Sequence, residues 1–473
     1  MNQVKNKKLK VKNMFRNSLR LCVSAVILSA FVLNIFAQKE TPPAGGPPKS
    51  FVFPAAETYS LKNGMRITLV PYGSVPKVQI VANIRAGSLN EKPEQRWISE
   101  MVASLLKEGT PTHSAEAIAR ETADMGGSIF TAAQTDKTTI GGEVLSEFDT
   151  RFLTLMADVI LNPKFAAEDL ETIRTNKLQE LTIAKAQAGT IAIEKFRQVI
   201  FPNHPYGEIF PTEAVVKNYK LEDVKAFYND NYGAARTSLY VVGQFDGAKV
   251  KATIEKLFGG WKKGASAIRN VPTINPKRSL TVIDRPNSPQ STIYVAMPAV
   301  SPSDDDFIKF SVMNNILGGS FGSRITANIR ENKGYTYSPN STVWTRYKTG
   351  YWYESADVTT QFTGASIKEI LFEINRLRNE PPSETELQGI KNYMTGIYVL
   401  QNSTRGGVAG QLEFMNYNDL DKNYIDSYIQ KVNAVTPQDV QSMVQKYLTE
   451  DKMTIVVVGD KSKITDQLKP YEN

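Results

Sequence analysis

The sequence contains one pattern twice, at a separation of about 216 residues. A helical segment around Asp223 leads into the strand Ser238–Gly243, and a second segment around Asp439 leads into the strand Met453–Gly459. The two Asp residues are 216 positions apart, and so are the two Gly residues that end the strands. This period is far longer than that of a solenoid repeat. It therefore predicts two homologous domains of roughly 200 residues each.

Each copy combines strand and helix patterns. In the first copy, Lys62-Asn63-Gly64 separates two short strands and predicts a tight hairpin turn, and Lys77–Arg85 predicts a further strand. An apolar stripe at helical spacing predicts a helix over Ile98–Glu108, and further helices are predicted over Glu147–Leu161 and Ala167–Ala186. The predicted fold class is α+β, with a mainly antiparallel sheet in each domain and helices packed on one face of it.

Changes in composition and the positions of Gly and Pro predict the domain boundaries. The segments are a signal peptide at 1–37, a Pro/Gly-rich tether at 38–54, an N-terminal α+β domain at 55–258, a linker at 259–278 and a C-terminal α+β domain at 279–473. The linker is polar and basic and is interrupted by Gly and Pro, which is typical of a connection between domains.

The net charge of +8 describes the targeting segment rather than the folded protein. Seven positive charges lie between Lys5 and Arg20 with no acidic residue among them, so the rest of the chain is almost neutral. Charge therefore gives no reason to expect nucleic acid or an acidic membrane surface as a partner. Two His and one Cys also exclude a zinc finger, a Cys/His cluster and a disulfide framework.

The basic start is followed by an apolar run, Leu21–Ala37, which is shorter than a membrane span and is typical of a secretory signal. Cleavage after Ala37 is predicted, and an uncleaved anchor in the inner membrane is the alternative. Cys22 lies at the start of this run, whereas a lipoprotein Cys would lie at its end. We expect a periplasmic or otherwise extracytoplasmic protein with no membrane contact beyond this segment.

A family resemblance rests on the run Gly87–Pro93 and on the helix that ends in Lys107-Glu108-Gly109-Thr110. Both resemble the zinc-site region of pitrilysin and insulinase-type metallopeptidases, and the resemblance extends over nearly the whole chain after the tether. It implies two homologous α+β halves that close like a clamshell on a peptide. It also implies that Phe130–Gln134 is an edge strand that binds substrate by strand addition.

The zinc motif of that family, H-x-x-E-H, is absent. In the family two His bind zinc and the Glu acts as a general base, and these positions fall on Glu100, Ala103 and Ser104 here. The resemblance implies that Glu180 occupies the position of the third ligand. Two carboxylates alone are a weak oxygen site, so we expect no metal and no other cofactor in this chain.

The second half keeps another part of the family's site. The resemblance implies that Arg330 and Tyr337 bind substrate, because an Arg and a Tyr at this spacing reach the scissile peptide in the family and can donate hydrogen bonds to its carbonyl. The alternative is an Arg in a surface ion pair with Glu331 and a Tyr that packs on a strand.

These features predict a non-catalytic, peptide-binding subunit of an extracytoplasmic heterodimeric zinc protease, similar in arrangement to mitochondrial processing peptidase. Its partners would be a homologous subunit that carries the zinc and a peptide substrate. By itself the chain is expected to be an inactive homologue. The alternative is a peptide-binding or scaffold protein that has no remaining link to proteolysis.

Overall fold

The structure is a computed structural model, and it describes residues 52–274 and 277–472. The predicted signal peptide and almost all of the predicted tether lie outside the described residues. Within the described ranges, no helix combines the length and the apolar character that crossing a membrane requires.

The N-terminal half contains one sheet and eight α-helices in its described part. Its strands are β1 (Glu57–Ser60), β2 (Arg66–Pro71), β3 (Lys77–Ile84), β4 (Ser128–Ala133), β5 (Thr138–Leu145) and β6 (Thr237–Gly243). Its helices are α1 (Ile98–Leu106), α2 (Ala115–Asp124), α3 (Asp149–Leu161), α4 (Ala167–Ala186), α5 (Ala188–Ile200), α6 (Glu213–Asn218), α7 (Leu221–Asn231) and α8 (Gly247–Phe258).

The C-terminal half begins at β7 and has a second sheet. Its strands are β7 (Ser279–Asp284), β8 (Gln290–Pro298), β9 (Asn340–Arg346), β10 (Thr349–Thr359) and β11 (Thr454–Gly459). Its helices are α9 (Phe307–Asn314), α10 (Thr363–Asn379), α11 (Glu384–Asn402), α12 (Arg405–Asn418), α13 (Lys422–Ala434), α14 (Pro437–Tyr447) and α15 (Lys461–Leu468), with π-helical segments at Asn315–Gly319 and Thr326–Asn332.

Apart from the additional edge strand β1 in the first sheet, the two sheets have the same topology. The strand order is β1-β2-β6-β3-β5-β4 in the first sheet and β7-β11-β8-β10-β9 in the second. The pairs β2–β6 and β7–β11 are parallel, and all other pairs in both sheets are antiparallel. Gly243 ends β6 opposite Pro71, and Gly459 ends β11 opposite Asp284. The two Gly residues therefore occupy equivalent places, and the prediction of a duplicated, mainly antiparallel α+β fold is confirmed.

Each half also covers the second face of the other half's sheet with one helix. Phe196 of α5 is fully buried against Tyr294 and Tyr351 in the second sheet, with ring centroids 5.7 and 5.1 Å away. In the opposite direction, α12 packs on the first sheet, where the Tyr240 hydroxyl donates to Glu413 Oε2 at 2.9 Å. The sequence pattern predicts helices on one face only. The exchange of α5 and α12 fills the other face and joins the halves.

The first hairpin differs in detail from its prediction. β1 and β2 are paired in antiparallel orientation, but five residues connect them, from Leu61 to Met65, and only Gly64 of the predicted Asn-Gly turn has a positive φ, of 92°. Asn63 instead donates from Nδ2 to the Phe258 carbonyl at 2.7 Å. The Asn63 side chain thus fixes the loop to the end of α8.

The core of the C-terminal half contains a buried carboxyl group. Glu354 on β10 is fully buried, and neither of its oxygens has a side-chain hydrogen-bond partner among the described residues. A Cβ atom added to Gly318 would lie 2.6 Å from Glu354 Oε2, so only Gly allows this close approach. Burial raises the pKa of Glu354 well above its usual value, although the Asn340 backbone opposes this in part. The folded protein therefore favours the neutral carboxyl.

Glu354→Gln is expected to stabilise the protein relative to wild type by an amount that grows with pH. Above about pH 4.5 the unfolded chain loses the Glu354 proton while the folded chain keeps it, so wild type loses up to about 1.4 kcal/mol of unfolding free energy per pH unit until the folded pKa is passed. Urea denaturation of both proteins between pH 4 and pH 8 measures the difference. The same change at exposed Glu147 controls for the loss of a charge. A difference that is constant with pH would contradict the prediction.

Candidate functional site

The helix that corresponds to the family's zinc-site helix is α1, and a buried carboxylate fixes its first turn. Glu91 Oε1 accepts hydrogen bonds from the Ser99 backbone N–H at 2.9 Å and from the Ser99 hydroxyl at 2.6 Å, and Oε2 accepts from the Trp97 N–H at 3.1 Å. Trp97 has a positive φ of 72° at the N-cap. These contacts satisfy free N–H groups at the start of the helix and fix the orientation of Glu100.

Glu100 and Glu180, the two carboxylates noted in the sequence, meet at a third side chain. Lys177 Nζ lies 2.5 Å from Glu100 Oε2 and 2.8 Å from Glu180 Oε2. Burial raises the pKa of Glu100, and the Lys177 ammonium opposes that effect. Burial alone would lower the pKa of Lys177, but the charges and hydrogen bonds of Glu100 and Glu180 together outweigh burial, so the pKa is raised. The three groups therefore form a charged cluster between α1 and α4.

The remaining motif positions do not fit a catalytic zinc site. Ala103 is buried and has no base to activate a water molecule, and Ser104 has no imidazole. Across residues 52–274 and 277–472, no group of three or more His, Cys, Asp or Glu side chains is arranged to hold a metal ion. The donor set at α1 does not match the family's zinc chemistry, so no catalytic step can be derived through a metal held by this chain.

The two His residues lie elsewhere. His113 lies near Asp158 and Glu121, with Nδ1–Oδ2 and Nε2–Oε2 distances of 3.2 and 3.4 Å. His204 is buried, and its Nδ1 accepts from the Tyr206 N–H at 3.2 Å. Burial lowers the pKa of His204. Each imidazole therefore has structural partners of its own.

The purified chain is expected to contain no stoichiometric zinc and to cleave no unstructured peptide by itself. The physical reason is that the motif positions supply one carboxylate already paired with Lys177, one methyl group and one hydroxyl. Elemental analysis and a fluorogenic peptide assay measure these two properties. One zinc per chain, lost in a Glu180→Ala variant, would show that the prediction is wrong.

Arg330 lies in the second π-helical segment on the surface of the C-terminal half. Its guanidinium carbon is 4.6 Å from the centroid of the Phe321 ring, and Nε is 3.3 Å from Glu331 Oε1. The Arg330 side chain is 31% exposed and Phe321 is 72% exposed. The ion pair with Glu331, the alternative considered from the sequence, is thus present, but it leaves the guanidinium partly open to solvent.

Tyr337 lies beyond the turn that ends this segment. Gly334 has φ 64°, which reverses the chain, and Thr336 forms an isolated bridge to Val358. Tyr337 follows the bridge and precedes β9, so it is not a strand residue, and 87% of it is exposed. The alternative of a Tyr packed on a strand does not describe this side chain. Its hydroxyl is available to a ligand.

The edge strand that the sequence located at Phe130–Gln134 is β4. Among the residues that the structure describes, β5 is its one partner strand, and its outer backbone edge is open to pairing with an extended peptide. At its C-terminal end the turn to β5 meets the other half, where Arg346 Nε lies 2.9 Å from Asp136 Oδ2. A cavity of about 330 Å³ lies at this junction.

The roles of Lys177 and Trp97 are not predicted by the sequence. Lys177 is three residues before Glu180, so an ion pair within α4 could have been inferred from the i,i+3 spacing. Its second contact, with Glu100, depends on how α4 packs against α1. No local sequence signal indicates that contact.

Two family models match most of the chain. Residues 70–210 match the model described as "Insulinase (Peptidase family M16)", and residues 218–394 match the model described as "Peptidase M16 inactive domain".

Two relatives and one solved structure extend the likeness over most of the chain. "Uncharacterized zinc protease YmxG" of Bacillus subtilis is 26% identical over 406 residues, which cover 83% of this chain and 96% of the relative. "Non-peptidase homolog YmxG" of Helicobacter pylori is 22% identical over 386 residues, which cover 80% and 87% of the two chains. The crystal structure of a peptidase M16 inactive domain from Pseudomonas fluorescens superposes with a TM-score of 0.79 at 23% identity, over 85% of this chain and 98% of that one.

Proposed function

Because the chain belongs to the peptidase M16 (insulinase) family, we propose that it is the non-catalytic, substrate-binding subunit of an exported, heterodimeric zinc protease. In this proposal a homologous partner subunit holds the zinc. This chain contributes Arg330 and Tyr337 to the shared site and binds the peptide substrate.

The observation that carries the proposal is the contrast between the two halves. In the N-terminal half, the position of the zinc-site helix is occupied by the Glu100–Lys177 ion pair, which cannot activate water. In the C-terminal half, Arg330 and Tyr337 keep their donor groups at the surface. Such donors stabilise the oxyanion that forms when a peptide carbonyl is attacked, and they need no metal on their own chain.

Peptide binding is supported by the free edge of β4. Backbone pairing along an edge strand binds many sequences, because the hydrogen bonds involve only main-chain groups. The exposed side of β4 carries Phe130, which is 43% exposed and could contact a peptide side chain. The predicted leader in the first 37 residues supports a site outside the cytoplasm.

A second candidate function is a peptide-binding or scaffold protein without a link to proteolysis. The observation that favours it is the name of the Helicobacter pylori relative, a "non-peptidase homolog". The two candidates differ in whether a zinc-bearing partner exists and gains activity from this chain.

Reconstitution tests the proposal. The chain is mixed with a homologue from the same genome that retains H-x-x-E-H, and cleavage of a fluorogenic peptide is measured for each chain and for the mixture. Activity that appears only in the mixture, together with a heterodimer in size-exclusion chromatography, would support the proposal. A mixture no more active than the zinc-bearing chain alone would favour the scaffold function instead.

A further inference from the structure

The Lys177 ammonium forms ion pairs with two helices of the N-terminal half at once. Its Nζ contacts Glu180 on its own helix, α4, and Glu100 on the neighbouring helix, α1. The Lys177 side chain is only 13% exposed, so water screens these charges less than it would on an open surface. The ammonium therefore forms close ion pairs with both carboxylates.

An aromatic ring provides a further contact for the ammonium. Lys177 Nζ lies 5.1 Å from the centroid of the Trp97 ring, within the range of a cation–π interaction. Trp97 is itself fixed, because its indole Nε1–H donates to the Ile209 carbonyl at 3.0 Å. An ammonium has three N–H donors. Two carboxylates and one aromatic face thus surround Nζ.

We infer that the Lys177 ammonium is a built-in cation that fills the Glu100–Glu180 carboxylate pair and keeps divalent metal ions out of it. The inference is independent of the role proposed for Arg330 and Tyr337. Without the ammonium, Glu100 and Glu180 would be left with no cation between them. A cation that replaced the ammonium would offset the repulsion between the two negative charges.

The chemistry of the pair indicates which cation would replace the ammonium. Glu100 and Glu180 offer only carboxylate oxygens, and Ser104, one helical turn after Glu100, offers a hydroxyl. Oxygen donors suit hard ions such as Mn²⁺, Mg²⁺ and Ca²⁺, whereas zinc in proteins prefers imidazole and thiolate ligands. An emptied pair would therefore bind Mn²⁺ weakly.

Lys177→Met tests the inference, because Met keeps an apolar stem next to Trp97 but removes the charge. Mn²⁺ is titrated into wild type and variant, and free Mn²⁺ is followed by electron paramagnetic resonance. We expect one added Mn²⁺ per chain in Lys177→Met, with a dissociation constant of about 10⁻³ M. This binding should be lost in the double variant Lys177→Met, Glu180→Gln. Lys185→Met is the matched control, since Lys185 lies on the same helix and donates to the Pro211 carbonyl.

Two results would overturn the inference. The first is that wild type binds Mn²⁺ with the same affinity as Lys177→Met. The second is that a folded Lys177→Met variant binds no more Mn²⁺ than wild type. If Lys177→Met does not fold, the same titration becomes a folding assay. In that case, Mn²⁺ at a concentration of about ten times its expected dissociation constant should restore the far-UV circular dichroism of Lys177→Met. It should not restore that of the double variant. Failure of this rescue would also overturn the inference.

Discussion

Arg330→Ala is expected to lower kcat of the reconstituted heterodimer by about 10²- to 10³-fold, and Tyr337→Phe by a comparable factor. The reason is that each change removes one donor to the oxyanion while leaving the partner's zinc in place. Stopped-flow or steady-state cleavage of a fluorogenic peptide measures kcat and KM separately. Because the donors act in the transition state, kcat should fall more than KM rises.

Matched changes separate this role from general effects on the surface. Lys333→Ala removes a nearby positive charge that pairs with Glu369, and Tyr393→Phe removes the hydroxyl of another exposed Tyr on α11. Both should leave kcat within about twofold of wild type. A raised KM with normal kcat in the Arg330 and Tyr337 variants would indicate docking rather than catalysis. Unchanged activity in both would remove the assignment altogether.

Phe196→Ala is expected to destabilise the whole chain by about 3–5 kcal/mol, because Phe196 lies on a helix of one half and its ring packs on aromatic rings of the other. The side chain is fully buried between α5 and the second sheet, and its ring stacks on Tyr294 with an interplanar angle of 27°. Truncation would leave a cavity that the surrounding side chains cannot fill by small movements. Urea denaturation with far-UV circular dichroism measures the loss.

Phe372→Ala is the control for this prediction. Phe372 is 53% exposed on α10, so its removal should cost less than about 1 kcal/mol. If Phe196→Ala costs no more than the control, the packing of α5 on the second sheet does not hold the halves together. Unfolding of Phe196→Ala in two separate transitions, each with the stability of an isolated half, would likewise show that this packing does not hold the halves together.

Much of the fold was predictable from local patterns. The α4 boundaries match their prediction at both ends, and β6 and β11 end at the paired Gly residues, because apolar periodicity and Gly positions are local signals. The exchange of α5 and α12 was not predictable. The apolar stripe of α5 indicates that one side is buried, but it does not say which sheet buries it.

The candidate site was predictable only where the identity of a single residue decides the chemistry. The loss of the zinc motif could be read directly at Glu100, Ala103 and Ser104. The π-helical segment that carries Arg330 and the Glu100–Lys177 contact depend on packing between elements far apart in the sequence. Helical spacing alone cannot predict a wider helical turn or a contact between residues on different helices.

The exchange of helices also sets an order for the synthesis of this protein. The first sheet is complete once β6 ends at Gly243, but the helix that covers its second face begins only at Arg405. At about 5–20 residues per second, the ribosome takes on the order of ten to thirty seconds to make the chain between these points. During that time the face around Tyr240 has no cover, so the N-terminal half cannot complete its packing before most of the C-terminal half has been made.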